Sequence, residues 1–244
     1  MKNTRATIEK IHQKPLKVIK RSKLFNYITI PVNRLKLLIG REPVRTFYSM
    51  NRGLRLHRYY LEHFLQQFAA DIRGHCLEFQ EDSYTTRFGN SAVQALDVLH
   101  KDDTNPKATI VADLTQENSI KSNLFDCIIC THVLQHISEP HRAISELHRI
   151  LKPGGILLMA EPHINVNRPR FEELWRFTPL SVYSLLEPVF GSKNAHIYPY
   201  GNSLTAAGCL RGLMAHEFTR AELNHRDPRY ALEVCARAEK TTIS

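Results

Sequence analysis

The chain has 244 residues, 43% of them hydrophobic, which is enough for one substantial core and too few for two full domains. Its formal charge of +9 is uneven: residues 1–60 hold 15 Lys/Arg against Glu9 and Glu42, a balance of +13 that leaves −4 for the remaining 184. No run of 18 apolar residues exists and the N-terminus lacks the apolar stretch of a secretory signal, so neither a spanning helix nor export is expected.

Taken in chain order, residues 1–50 form a basic arm expected to be partly ordered, ahead of a domain over 51–244. The stretch "PLKVIKRSKLFNYITIPVNRLKLLIG" mixes cations with large apolar residues, a pattern suited to an anionic membrane surface or a protein partner. A solvated extension competes with that reading, and nucleic acid is not expected. Pro31 and "GREP" punctuate the arm. Leu61, Phe64, Leu65 and Phe68 then recur at helical spacing and predict a helix of about 15 residues ending at Gly74. "HCLEF" and "AVQALDVL" read as two strands buried on both faces, followed by "ATIVADL" and "FDCIICTHVL".

Ala143, Leu147, Ile150 and Leu151 make one helical face, with Gly154 and Gly155 as its left-handed stop before the strand "ILLMAEP". After it "EELWRFTPLSVYSLLEPVF" predicts helix broken at Pro179, Leu204 to Phe218 has helical character, and "ALEVCARAEK" is a last strand. This alternation means an α/β fold, Rossmann-like, with a doubly wound and mostly parallel sheet. The five cysteines are odd in number and sit in apolar runs, which reads as reduced thiols and a cytoplasmic protein. Cys127 and Cys130 stand three apart on a strand, facing opposite sides, and His132 and His136 lack the glutamate of a metalloprotease helix; no metal is expected.

Ligands of such sheets bind beyond the carboxyl ends of the strands, where this chain places Glu78, Asp97, Asp113, "THVLQH" and "EPH". A pyrophosphate needs a glycine turn, whereas "QEDSYTT" offers Glu81 and Asp82 and no glycine. S-adenosylmethionine carries no phosphate but a sulfonium and an ammonium, and suits an acidic rim. Asp97, 19 residues after Glu78, is placed to accept from the ribose hydroxyls, and Asp113 from the adenine amine. The loop from Gln80 to Asn90 has no room for a comfortable helix, so it should reach the ligand with side chains, Gly89 supplying a permissive backbone position.

"NLFDCIICTHVLQHISEPHRAISELHRILKPGGILLMAEP" strongly resembles the second half of class I S-adenosylmethionine-dependent methyltransferases of the type 11 kind. "LEFQEDSYTTRFG", "LWRFTP", "YGNSLTAAGCLRGLMAHEFT" and "DPRY" resemble a bacterial subgroup found with glycosyltransferases. The likeness covers about residues 51 to 240. It implies the class I methyltransferase fold with an antiparallel last strand, S-adenosylmethionine as cofactor, and methyl transfer to a small-molecule or glycan-linked acceptor, with oxygen favoured. Cofactor contacts would fall to Glu78, Gln80, Asp82, Tyr84, Asp97, Asp113, Leu114 and Thr131. Trp175, Arg176, Tyr200 and Asn202 belong by resemblance to the acceptor side, and Arg58 and Tyr59 would close over the cleft. His57 stands where the subgroup tends to have aspartate, and Gln80 where it has glycine.

Methyl transfer needs alignment and, for a hydroxyl, a base; His136 and His163 are the candidates. Two rivals stand beside this reading. One is a non-catalytic docking or regulatory module, to which Gln80 lends weight. The other is an RNA methyltransferase, disfavoured because only the arm is basic.

Overall fold

A computed structural model describes residues 23–44, 53–116, 118–167 and 172–241. Because the central strands are apolar on both sides, they can be hidden only inside a sheet covered by helices on each face. β1 (Gly74–Phe79), β2 (Val93–His100), β3 (Ile110–Val111), β4 (Phe125–Thr131), β5 (Leu151–Pro162), β6 (Ala195–Tyr200) and β7 (Glu233–Glu239) form, among the described residues, one sheet in the order β3-β2-β1-β4-β5-β7-β6. The β1–β2, β1–β4, β2–β3 and β4–β5 pairs are parallel, and β7 runs antiparallel to both β5 and β6. The doubly wound sheet with an antiparallel last strand is therefore as expected. Strand order reverses between β1 and β4, and a crevice opens at that switch point.

One face is covered by α2 (Leu56–Gln67), α3 (Ser83–Phe88), α6 (Ser203–Leu210) and α7 (Arg220–Asn224), whose Phe64, Phe88, Cys209 and Leu223 pack with Cys127 and Leu158. The other is covered by α4 (Pro140–Ile150) and α5 (Pro179–Phe190), whose Ile144, Leu147 and Val182 pack with Cys130 and Met159. Cys127 and Cys130 thus lie on opposite faces, and all five cysteines are buried free thiols. Phe64 and Leu65 are fully buried and each stabilises the fold by about 1.5–3 kcal/mol.

Several local expectations are corrected. α2 ends at Gln67, short of Gly74, because a 3₁₀ turn at Ala69–Asp71 intervenes; Gly74 instead opens β1 at φ +68. Gly154 and Gly155 lie inside β5, not at a helix stop: α4 gives way to β5 at Leu151, and Gly154 (φ +78) donates its N–H to Lys240 O where the β4–β5 register slips. Pro179 begins α5 instead of breaking a helix, since Thr178 caps it by accepting the Ser181 N–H at 3.0 Å and a proline at N1 loses no intrahelical bond. The segment before it is not helical. The loop after β1 does hold a helix, the six-residue α3, and Gly89 has φ −82, so it is not the left-handed position.

Part of the arm is helical: α1 (Lys23–Ile39) continues through Pro31, which therefore does not end it. Asn33 Nδ2 donates to Glu217 Oε1 at 2.7 Å, Arg34 pairs with Glu222 at 2.6 Å, and Arg211 donates to Lys36 O at 2.8 Å, so α1 is seated on the domain. Residues 1–22 and the expected boundary at residue 50 lie outside the described residues. Among those described, no helix is long and apolar enough to cross a membrane.

Candidate functional site

Two cavities open at the carboxyl ends of the strands. The smaller, 360 Å³, is bounded by Leu99, His100, Lys101 and Asp102 at the end of β2, by Ala112, Asp113, Leu114 and Thr115 after β3, and by Val133, Ile137 and Leu174. The larger, 690 Å³, lies over β1 and β4, between the loop from Glu78 to Tyr84, the turn holding Thr131, His132 and Gln135, and Arg55, His57 and Arg58 at the start of α2. Phe79, Gln80 and His136 line both. The apolar slot and the more polar chamber thus adjoin at these three residues.

The turn after β1 is held by Glu78. Its carboxylate is buried and accepts the N–H groups of Tyr84 at 3.1 Å and Thr85 at 2.7 Å, the free donors at the start of α3. Burial pushes the Glu78 carboxyl up despite those bonds. It braces the loop, and its oxygens are already spent. Gln80 takes φ +65, the left-handed backbone that a glycine would adopt freely, while its carbonyl accepts from Asn105 Nδ2 at 2.7 Å. The backbone turn is thus made without glycine.

Of the expected cofactor residues, Glu78, Gln80, Tyr84 and Thr131 line the chamber and Asp113 and Leu114 the slot. Asp113 stays ionised because Thr115 donates to it through N–H (2.8 Å) and Oγ1 (2.7 Å). Asp97 lines neither cavity. β2 runs on to His100, so Asp97 falls short of the strand end, and it accepts from Thr109 Oγ1 at 2.6 Å and pairs with His75 Nε2 at 2.7 Å. Asp82 also lies outside both, 3.7 Å from Lys107.

On the acceptor side, Arg58 lines the chamber and donates to Tyr84 Oη at 3.2 Å, clasping α2 to α3 across it. Tyr59 does not line it; its hydroxyl turns to Asn224. Tyr200 is 1% exposed, beneath the Arg226 guanidinium in the core. Asn202 caps α6, accepting the Thr205 N–H at 3.0 Å. Trp175 is surface-lying, with Nε1 donating to Ile137 O, and Arg176 pairs with Glu173. These last four line neither cavity. Of the two candidate bases, His136 stands at the seam, whereas His163 is held by Phe177 O at 2.9 Å and lines neither.

A cluster that sequence reasoning did not find lies at the chamber wall. Glu233, fully buried at the start of β7, has Oε2 2.5 Å from His57 Nδ1 and Oε1 2.7 Å from His132 Nε2. Burial opposes its ionisation, yet the two imidazoles hold its pKa down at about 2. Burial likewise disfavours a charged His57, but Cys209 and Glu233 beside it raise it to about 10. His132 sits at φ +56, its N–H bonded to Ala160 O, and Glu161 accepts the N–H groups of Val133, Leu134 and Gln135 that follow it.

Residues 61–159 match the family described as methyltransferase domain. A S-adenosylmethionine-dependent methyltransferase from Archaeoglobus fulgidus is similar over 75% of this chain and 94% of its own, with 11% identity and a TM-score of 0.52. The fold is that of class I methyltransferases. The [4+2]-cyclase SpnF is similar over 88% of this chain and 97% of its own, at 14% identity and a TM-score of 0.51. The ubiquinone/menaquinone biosynthesis C-methyltransferase UbiE of Erwinia tasmaniensis is 40% identical over 52 residues, 21% of this chain and 19% of that protein. Matches to curated relatives span 12% to 25% of their lengths. In this class I frame the missed cluster joins the first turn of α2, the turn after β4 and the start of β7, 176 and 101 residues apart in sequence. Two signals were present: His57, noted as a departure from the subgroup, and His132, weighed with His136 as a metal pair. Their partner Glu233 had none.

Proposed function

We propose that the chain binds S-adenosylmethionine and transfers its methyl group to a hydroxyl of a small-molecule or glycan-linked acceptor. The observation that carries this reading is the pair of adjoining cavities, an apolar slot suited to a nucleoside that meets a more polar chamber at Gln80 and His136. The residues suit a phosphate-free cation: Asp102 and Asp113 edge the slot and Glu81 the chamber, and no glycine-rich turn is present to cradle a pyrophosphate. When bound, the cofactor supplies a methyl carbon already activated by the sulfonium.

The protein aligns the partners and receives the proton. His136 Nε2 is 3.0 Å from the Gln135 amide, which fixes the ring; with that amide turned so that its otherwise unpartnered Oε1 accepts the Nε2–H, Nδ1 is left unprotonated to take the acceptor's proton as the oxygen–carbon bond forms. His136→Ala should lower kcat by about 10²–10⁴-fold while leaving the cofactor dissociation constant in place. Asp113→Ala should weaken cofactor binding by about 1.5–3 kcal/mol. Calorimetry with S-adenosylmethionine comes first: no heat at millimolar cofactor with the fold intact favours the docking-module rival.

The resemblance to the glycosyltransferase-associated subgroup favours a glycan, and sugar nucleotides and lipid-linked glycans are the acceptors to screen with labelled cofactor. UbiE is a C-methyltransferase, so NMR of the labelled product is needed to tell oxygen from carbon. The cyclase SpnF shares the fold, so cofactor binding without methyl transfer to any acceptor would sink this proposal while leaving the fold untouched.

A further inference from the structure

We propose that His57, His132 and Glu233 form a binding site for one first-row divalent transition cation at the wall of the 690 Å³ chamber. One ligand atom from each residue lies within 4.8 Å of the other two, Nδ1 of His57, Nε2 of His132 and a Glu233 oxygen. Two imidazoles and one carboxylate are the donor set that manganese, iron, cobalt and zinc accept, whereas calcium and magnesium prefer oxygen alone. Three protein ligands leave positions free for solvent or an acceptor oxygen, and His57 and His132 both line the chamber.

The surroundings hold the donors in place. Glu233 is paired within β7, His57 belongs to the first turn of α2, and His132 is fixed in a left-handed backbone by its bond to Ala160 O and by Glu161 gripping the next three N–H groups. A non-glycine residue held at positive φ is strained, and such strain gathers where a side chain must be aimed. His57 Nε2 is buried beside Cys209 and finds no partner of hydrogen-bond geometry among the described residues, so Nδ1 is the nitrogen the fold presents to the carboxylate. A cation about 2.0–2.2 Å from each donor needs the N–O separations of 2.5 and 2.7 Å to open to about 3 Å. His132, whose side chain is 29% exposed, has room to move that far, while the buried His57–Glu233 pair must open by a small rotation of the carboxylate.

The test uses the full chain, stripped with chelator and dialysed against zinc, manganese or cobalt chloride without S-adenosylmethionine or acceptor, and reads metal content by mass spectrometry. Roughly one equivalent of at least one metal is expected per chain, with cobalt giving a visible d–d spectrum. His132→Ala and Glu233→Gln should each weaken uptake by more than about 100-fold, beyond the loss typical of an outer-shell residue, and His136→Ala should not. Glu233→Gln keeps the shape of the buried side chain, and circular dichroism confirms that each variant is folded. No uptake by the folded wild type, or uptake that survives both ligand substitutions, overturns the site and leaves protons alone bridging the cluster. Because no cofactor is present, either result is independent of the methyl-transfer reading.

Discussion

Gln80 shows how one residue can stand where glycine is usual. A left-handed backbone costs an ordinary residue about 1–2 kcal/mol, and glycine gives back about 0.5–1 kcal/mol in chain entropy. Gln80→Gly should therefore stabilise the fold by a net of about 0.5–1 kcal/mol, read as a higher urea midpoint, and should tighten S-adenosylmethionine if the Gln80 side chain crowds the seam. A midpoint that stays put would mean that the strain at φ +65 is already relieved by its neighbours. Asp97 gives the contrary lesson. Tied to His75 and Thr109 away from both cavities, Asp97→Ala should cost about 1 kcal/mol of stability and leave the cofactor dissociation constant unchanged. A weakened constant in calorimetry would return Asp97 to the site.

At the scale of elements, α3 is the clearest case of tertiary contacts making a helix that local pattern does not announce. Six residues are too few to be helical alone. Glu78 from β1 supplies acceptors for two of its free N–H groups, and Phe88 and Thr85 are buried under it. Gly89 is needed there for space, not for left-handed freedom. A Cβ would lie 2.3 Å from Val93 Cγ2 and 2.9 Å from both Ile72 Cγ2 and Thr85 O. Gly89→Ala should destabilise by about 1–3 kcal/mol, with the loss seen in thermal unfolding. A neutral substitution would show that β2 can shift without penalty. The strands β1, β2, β4, β5 and β7 were legible because runs such as "FDCIIC" bury both faces, while the entry of Pro179 as a helix start depended on the Thr178 cap.

Across the whole molecule, α1 is seated by polar contacts of Asn33 and Arg34 and by Leu37 packed against the core. The hydrogen bond from Arg34, opposed by partial burial and helped by Thr219, holds Glu222 down at about 2 from an ordinary 4.5. A carboxyl depressed in this way stabilises the folded state above its ordinary pKa and loses that contribution as pH falls from 4.5 towards about 2. The two side chains are 34% and 25% exposed, so solvent screens the pair and the effect is about 1 kcal/mol or less and falls with salt. Arg34→Ala should lower the urea midpoint near pH 6 and match the wild type near pH 2; a gap that persists in acid would point to packing instead. Val32, Leu35, Leu38 and Ile39 remain exposed on α1, and we propose them as the face that meets an anionic membrane. Flotation with vesicles containing anionic lipid, with and without high salt, tests this; no binding at low salt would remove it.

What this chain's residues determined locally was the sheet: apolar strands alternating with helical faces leave no other way to hide both sides from water, so the class I frame and its crevice followed. Which polar side chains reach that crevice was decided only on folding. Glu78, Asp97, Tyr200 and Asn202 looked available in one dimension but are consumed by neighbours, whereas His57, His132 and Glu233 meet because α2, β4 and β7 are brought together by packing. Burial pattern is written in local periodicity; convergence of distant charges is a property of three-dimensional contact, and no spacing along the chain encodes it.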